Sequence, residues 1–206
     1  MKQLLLTICL TAACLTAGAQ TIEQTLLSMH KEKETFVAPF IETTVMPKMK
    51  KETVKKGTMY FAAPDALLMK YSDPAGDYSL IKDGKFNVKR KANVQSVPMN
   101  PKNMSQLYTL RETLLGSLTG DLKRVAEENE AEVSCKEAAG KYHCTLTKKQ
   151  PKAAGVNTLE LIYDKRTGAL LSLKLIQANG NYTVYDTPDI KSGVSISADT
   201  WNVQAK

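Results

Sequence analysis

GTMYFAAPDALLMKY, residues 57–71, governs how the rest of the chain is read. Its large apolar side chains, Met59, Phe61, Leu67, Met69 and Tyr71, fall on odd positions. Thr58, Ala62 and Lys70, on even positions, are smaller or polar. A period of two marks strands with one buried face, and Pro64-Asp65 interrupts the pattern as a turn would. An ordinary core face would show the same alternation. A ligand-lining face is favoured by the methionines: all seven that follow the first residue fall between Met29 and Met104. Methionine is flexible and polarizable, and it recurs on surfaces that fit varied apolar ligands.

Strand signals continue on both sides. Residues 36–45 read as a strand and 78–91 as a hairpin about Asp83-Gly84, the strongest short hairpin signal in the chain. Residues 158–163, 170–176 and 182–187 follow as strands, with turns at Thr167-Gly168 and Asn179-Gly180. Two stretches read as helices. Residues 21–34 carry Ile22, Leu26, Leu27 and Met29 on one side. Residues 103–118 carry Met104, Leu107, Leu110, Leu114 and Leu118 at helical spacing before Gly120. The second helix is either a lid over an apolar cavity or a core helix, since both use the same pattern. No internal repeat or linker divides this α+β chain.

The chain has 206 residues, 43% hydrophobic and 24% charged, with four cysteines, two histidines and one tryptophan. Such a chain buries enough apolar surface to fold without a metal or a dense disulfide framework. Residues 1–19 read as a cleaved export signal. Lys2 gives a positive start, residues 4–15 are apolar but too short to span a bilayer, and Ala17-Gly18-Ala19 supplies small residues for cleavage. Cys14 offers a minor second outcome, lipid anchoring, although Thr11 stands where a lipoprotein signal carries a larger aliphatic residue. Residues 20–206 form one soluble domain on this reading. Losing Lys2 lowers the net charge from +7 to +6. The lysines concentrate in residues 46–57 and 85–91, either as a solvated loop and strand face or as a docking patch for anionic lipid or an acidic partner. Export argues against nucleic acid as a partner, and no recognition motif for it is present.

In VSCKEAAGKYHC, residues 133–144, a tight loop at Ala139-Gly140 makes the paired positions sum to 279. Cys135 then faces Cys144 at a non-hydrogen-bonded pair, where the backbones approach closely enough for a disulfide. In an oxidising compartment this pair is a structural staple. Catalysis has little support. His30 and His143 lie far apart, no Gly-x-Ser-x-Gly elbow exists, and Glu127-Glu128 read as solvated surface. The chain is expected to be no enzyme, and to need no cofactor and no metal.

From residue 36 to 203 the order of motifs resembles the LolA-type periplasmic lipoprotein carriers. Phe36-Val37-Ala38-Pro39-Phe40 is similar to the family's first-strand Phe-x-x-x-Phe. Residues 57–64 are similar to its second strand, which ends in an Arg-Pro step. Leu67-Leu68-Met69-Lys70-Tyr71 and the Asp83-Gly84 turn follow at matching spacing. Residues 142–148 resemble the Tyr-x-Leu-x-Pro-type strand, Gly180-Asn181-Tyr182-Thr183 the Gly-x-x-Thr segment, and Thr200-Trp201 stands where a terminal Phe is usual.

The resemblance implies an incomplete antiparallel β-barrel, a half-pipe whose helical lid covers its concave apolar face. It implies a periplasmic carrier that takes acylated lipoproteins from an inner-membrane transporter to an outer-membrane receptor. Phe36, Phe40, Met59, Phe61, Leu67, Met69 and Tyr71 would line the lipid cavity beneath Met104, Leu107, Leu110 and Leu114 of the lid. Leu67 also stands where the family contacts its transporter. A lipid or lipoprotein sensor, or a specialised lipid shuttle, is the alternative on the same fold. The expected state is a monomer, although exposed sheet edges would permit a dimer. Ala63 replaces the arginine that holds the family's lid closed. Either packing by Leu107, Leu110 and Leu114 holds the lid here, or the pocket stays open. Glutamate at Phe61 or Leu67 is expected to leave the fold intact and abolish acyl binding.

Overall fold

The structure, a computed structural model, describes residues 20–31, 34–99 and 105–203, with side chains in the last segment from Tyr108 onward. The proposed leader with Cys14, Met104 and the Leu107 side chain lie outside the described residues.

Helix α1 (Ile22–His30) begins at a capping box. The Thr21 hydroxyl accepts from the Gln24 backbone N–H, and the Gln24 side chain accepts from that of Thr21. The helix stops at His30, short of the expected residue 34, where the Lys31 N–H turns back to the Ser28 carbonyl. Six strands follow as a meander: β1 (Thr35–Met46), β2 (Lys51–Ala62), β3 (Ala66–Asp73), β4 (Ala75–Lys82), β5 (Lys85–Arg90) and β6 (Asn93–Pro98). Helices α2 (Ser105–Leu118) and α3 (Leu122–Asn129) come next. The chain closes with β7 (Ala131–Ala138), β8 (Lys141–Lys148), β9 (Val156–Asp164), β10 (Leu170–Gln177), β11 (Tyr182–Asp186) and the short β12 (Lys191–Ser192).

All the strands share one sheet in the order β6-β5-β4-β3-β2-β1-β11-β10-β9-β8-β7, with β12 paired to β1. Strands β6 and β7 remain edges, so the sheet is an open antiparallel half-barrel with helices over its concave face. The β4–β5 and β7–β8 loops each place both central residues at positive φ, 51° and 67° at Asp83-Gly84, 51° and 70° at Ala139-Gly140. That handedness matches the twist of hairpin strands.

The lysine-rich run at 46–57 is not a loop throughout: after a 3₁₀ turn at Pro47–Met49, Lys51 begins β2, and that strand pairs with β1 along its whole length. Helix α3 was unforeseen because its eight residues contain few apolar ones. Asp121 caps it, and Leu122 and Val125 are buried in the core with Ala126 packed against it. Strands β6 and β12 lack apolar runs and depend on neighbours for pairing.

The even-numbered face of β2–β3 is also not uniformly polar. Leu68, Tyr78 and Leu80 form a second small core on the convex side, covered by Tyr60, Trp201 and Val203. Gly57 serves the concave side. A Cβ there would lie 2.2 Å from the Lys70 carbonyl oxygen and 2.8 Å from the Phe40 ring. Its absence lets Phe40 lie flat over β2.

Candidate functional site

Register builds the concave face row by row. Phe36, Phe61, Leu67, Ile81, Phe86 and Val97 oppose one another in succession across β1 to β6. Phe36 stacks on Phe61 with ring centroids 4.8 Å apart, and Phe40 meets Tyr71 edge-on at 5.2 Å. The other half of the sheet repeats the device. Leu173, Leu161, Cys144 and Cys135 form one row, and Leu175, Leu159, Leu146 and Val133 the next. Cys135 and Cys144 are joined by a disulfide, their Cα atoms 4.1 Å apart.

The seven side chains expected to line a cavity, Phe36, Phe40, Met59, Phe61, Leu67, Met69 and Tyr71, do gather with Leu114 in a single cluster. They are packed there. Phe61 and Leu67 are each 1% exposed, so glutamate at either would enter a filled core, and the expected intact fold does not follow. The space found against Phe36 and Phe61 is about 10 Å³, at most room for a single water. A transporter contact through Leu67 would require this face to open first. The methionines divide as well: Met59 and Met69 are buried on this face, whereas Met49 is 68% exposed at the Pro47–Met49 turn.

Open space lies over the other half. A cavity of about 460 Å³ runs between α2 and β9–β10, with Leu110, Val156, Leu159 and Leu175 as its apolar lining. Lys148, Lys152, Glu128 and Glu130 supply its charged lining. Its volume falls within the roughly 300–1,000 Å³ common for small-ligand sites. A second, more open groove of about 690 Å³ lies between α1, α3 and edge strand β7, floored by Leu27, Leu122 and Val133.

Helix α2 closes the concave face. Leu114, Leu115 and Leu118 are buried and Leu110 is half-buried at the cavity. A Cβ at Gly116 would meet Val125 Cγ2 at 2.5 Å, so glycine is what lets α2 and α3 approach. The fully buried Glu112 carboxylate pairs with Arg111 beside it and with Arg124 of α3. Arg111 also reaches Asp65 in the β2–β3 turn, at 3.4 Å. Neither alternative drawn from Ala63 is met alone. An arginine carried by the helix, not by the turn, links the two elements, and sequence reading gave no sign of it because the partners lie 46 positions apart.

A polar group bounds the apolar face beyond Phe40. Glu42, 7% exposed, accepts a 2.5 Å hydrogen bond from the Tyr71 hydroxyl and one of 2.9 Å from Lys55 Nζ. Arg90 lies over the Tyr71 ring, 4.9 Å from its centroid. Burial, reinforced by the Glu42 charge and hydrogen bond, pushes the Tyr71 hydroxyl far above the usual tyrosine range. Tyr163, wholly buried, donates to the Ser117 carbonyl at 2.8 Å and ties β9 to the end of α2; burial raises it likewise. Among the described residues no group of three or more His, Cys, Asp or Glu could hold a metal. No described helix is long and apolar enough to cross a membrane.

An open sheet, an apolar concave face and a covering helix together suit an amphiphile with acyl chains. The family described as outer membrane lipoprotein carrier protein LolA matches residues 31–204. The chain belongs to the LolA family. LolA-like proteins are extracytoplasmic binding and carrier proteins. Solved structures similar to this chain include a putative outer membrane lipoprotein-sorting protein domain from Vibrio parahaemolyticus, 12% identical, covering 87% of this chain and 97% of that one at a TM-score of 0.43. A LolA superfamily protein from Nitrosomonas europaea is 12% identical over 86% and 96%, with a TM-score of 0.42. The MucA/MucB complex of Pseudomonas aeruginosa matches at 12% identity over 88% of this chain and 58% of that one, with a TM-score of 0.46. No curated protein matches the sequence.

Proposed function

We propose that this LolA-family chain is a periplasmic carrier that shields the acyl chains of lipoproteins between α2 and the concave face. It would take them from an inner-membrane transporter and deliver them to an outer-membrane receptor. The observation that supports this most is the 460 Å³ cavity, walled by Leu110, Val156, Leu159 and Leu175 and edged by charged residues, beside a filled, continuous apolar face under the helices. Each methylene withdrawn from water contributes about 0.8 kcal/mol, so a sheltered acyl chain is strongly favoured over an exposed one.

On this reading the cavity beside Leu110, Leu159 and Leu175 admits the first chain. Displacing α2 then uncovers Phe61, Leu67, Met59 and Met69 for more. The Asp65–Arg111–Glu112–Arg124 chain of charges would hold α2 until cargo arrives, doing from the helix what the family's turn arginine does from the strand. Residues 20–206 would act as one domain, and as a monomer, after residues 1–19 are removed on export.

The test is release from spheroplasts of the source organism. Protein processed from the full chain is added, and the supernatant is examined for co-purifying lipoprotein. A soluble complex with acylated cargo is expected. Supernatant free of lipoprotein, with the added protein recovered intact, overturns the carrier role and leaves the sensor or lipid-shuttle alternative.

A further inference from the structure

Inner-face positions of β8 run Tyr142, Cys144, Leu146 and then Lys148, because alternate residues of a strand share a face. Three apolar residues are thus followed by a cation on the same concave face. Tyr142, Cys144 and Leu146 are buried in the core cluster; Lys148 is half-buried and lines the 460 Å³ cavity. Among the described residues its ammonium has no carboxylate within ion-pair distance and no hydrogen-bond acceptor, and Lys152 on the same lining has no ion pair either. A half-buried lysine without an ion pair, at the wall of a cavity, is placed to meet an anion that enters it. Burial, with Lys152 alongside, holds the Lys148 ammonium below the usual lysine range, while Glu130 acts in the opposite direction.

We propose that this cavity takes a phospholipid, its acyl chain lying among Leu110, Leu159 and Leu175 and its phosphodiester set between Lys148 and Lys152. The assignment rests on reading the cavity as an acyl site and adds the head group to it. The diacylglyceryl cysteine of a lipoprotein bears no phosphate or carboxylate and would offer Lys148 no ion pair. Two lysines lining one cavity suit a phosphodiester, whose several oxygens can accept from both. Glu128 and Glu130, on the same lining, offset the two lysines in charge. The site therefore favours a head with one phosphodiester over a polyanion.

The test compares three short-chain probes with matched acyl groups: phosphatidylglycerol, diacylglycerol and the free fatty acid. Binding to the lipid-stripped protein is followed by calorimetry and native mass spectrometry. Phosphatidylglycerol is expected to bind about tenfold more tightly than diacylglycerol, the effect of one or two charge-assisted contacts, and this preference should shrink with added salt. Lys148→Gln should bring the two affinities together, and Lys152→Gln should reduce the gap. Melting curves that coincide with the parent's show that the variants fold. Equal affinity for phosphatidylglycerol and diacylglycerol overturns the head-group site while keeping the acyl cavity. Tighter fatty-acid binding overturns the phospholipid and assigns a carboxylate. Failure of all three to bind overturns the acyl cavity and the head-group site with it.

Discussion

The two halves of the sheet are built by the same rule and end differently. Across β1 to β6 the concave side carries Phe36, Phe61, Leu67 and Met69, and leaves about 10 Å³ beside Phe36 and Phe61. Across β8 to β10 it carries the slimmer Leu146, Leu159 and Leu175, and α2 stands off far enough for a cavity of about 460 Å³. Side-chain volume explains part of the contrast: Phe36, Phe40, Phe61 and Tyr71 crowd one half, whereas Leu159 and Leu175 line the cavity in the other. Charge explains another part. The filled half ends against the internally paired Glu42, Lys55 and Tyr71, the open half against Lys148, which makes no ion pair among the described residues. An apolar concave face is therefore a site only where the covering element leaves room.

Substitution should separate the halves most sharply. Leu67→Glu buries a carboxylate in the filled half and should cost roughly 4 kcal/mol or more, leaving little folded protein in urea titration. Leu110→Glu, at the cavity wall of the open half, should melt within a few degrees of the parent yet lose acyl retention. If both variants fold equally well, the distinction between filled and open halves fails.

Reduction of Cys135–Cys144, whose partners are nine positions apart in the open half, should lower stability by about 2 kcal/mol, seen as an earlier melt in reductant. Acyl binding should change little, because the bond ends the row of Leu173 and Leu161 and does not line the cavity.

Alkali should destabilise both halves. Tyr71 and Tyr163 keep their protons above the usual tyrosine value of about 10, whereas the unfolded chain loses them there. Above that pH the unfolded state binds fewer protons, so stability falls with rising pH, by up to about 1.4 kcal/mol per unit for each tyrosine. Chemical denaturation between neutral and alkaline pH reads the slope. Tyr71→Phe and Tyr163→Phe should each flatten it, one from each half.

Arg111→Ala should cost least, about 1 kcal/mol, since Arg124 still faces Glu112. Its sharper readout is faster amide exchange in α2, with β2 and β3 unchanged. Exchange in α2 as slow as the parent's would remove the ionic tether from the account of the lid.

Alternation in residues 57–71 announced β2, β3 and which side chains share the inner face. The Asp83-Gly84 and Ala139-Gly140 turns announced two hairpins, and the second carried the pairing of Cys135 with Cys144 in its register. These are local signals: dihedral preference at the loop and a side-chain period of two. Lys148 was visible as a lysine, but its meaning was not, because nothing in its neighbourhood tells that α2 and Lys152 will stand beside it.

By itself the sequence determined the α+β class, most strands, two of the three described α-helices, and the inner face of β2, β3 and the cysteine hairpin, because backbone geometry ties neighbouring positions to faces. Only the tertiary structure decided where space remains, that α3 exists as a helix on Leu122 and Val125, and that Arg111 reaches Asp65 across 46 positions. A face is written in local periodicity. Whether that face is filled depends on volumes and charges delivered by elements far apart along the chain.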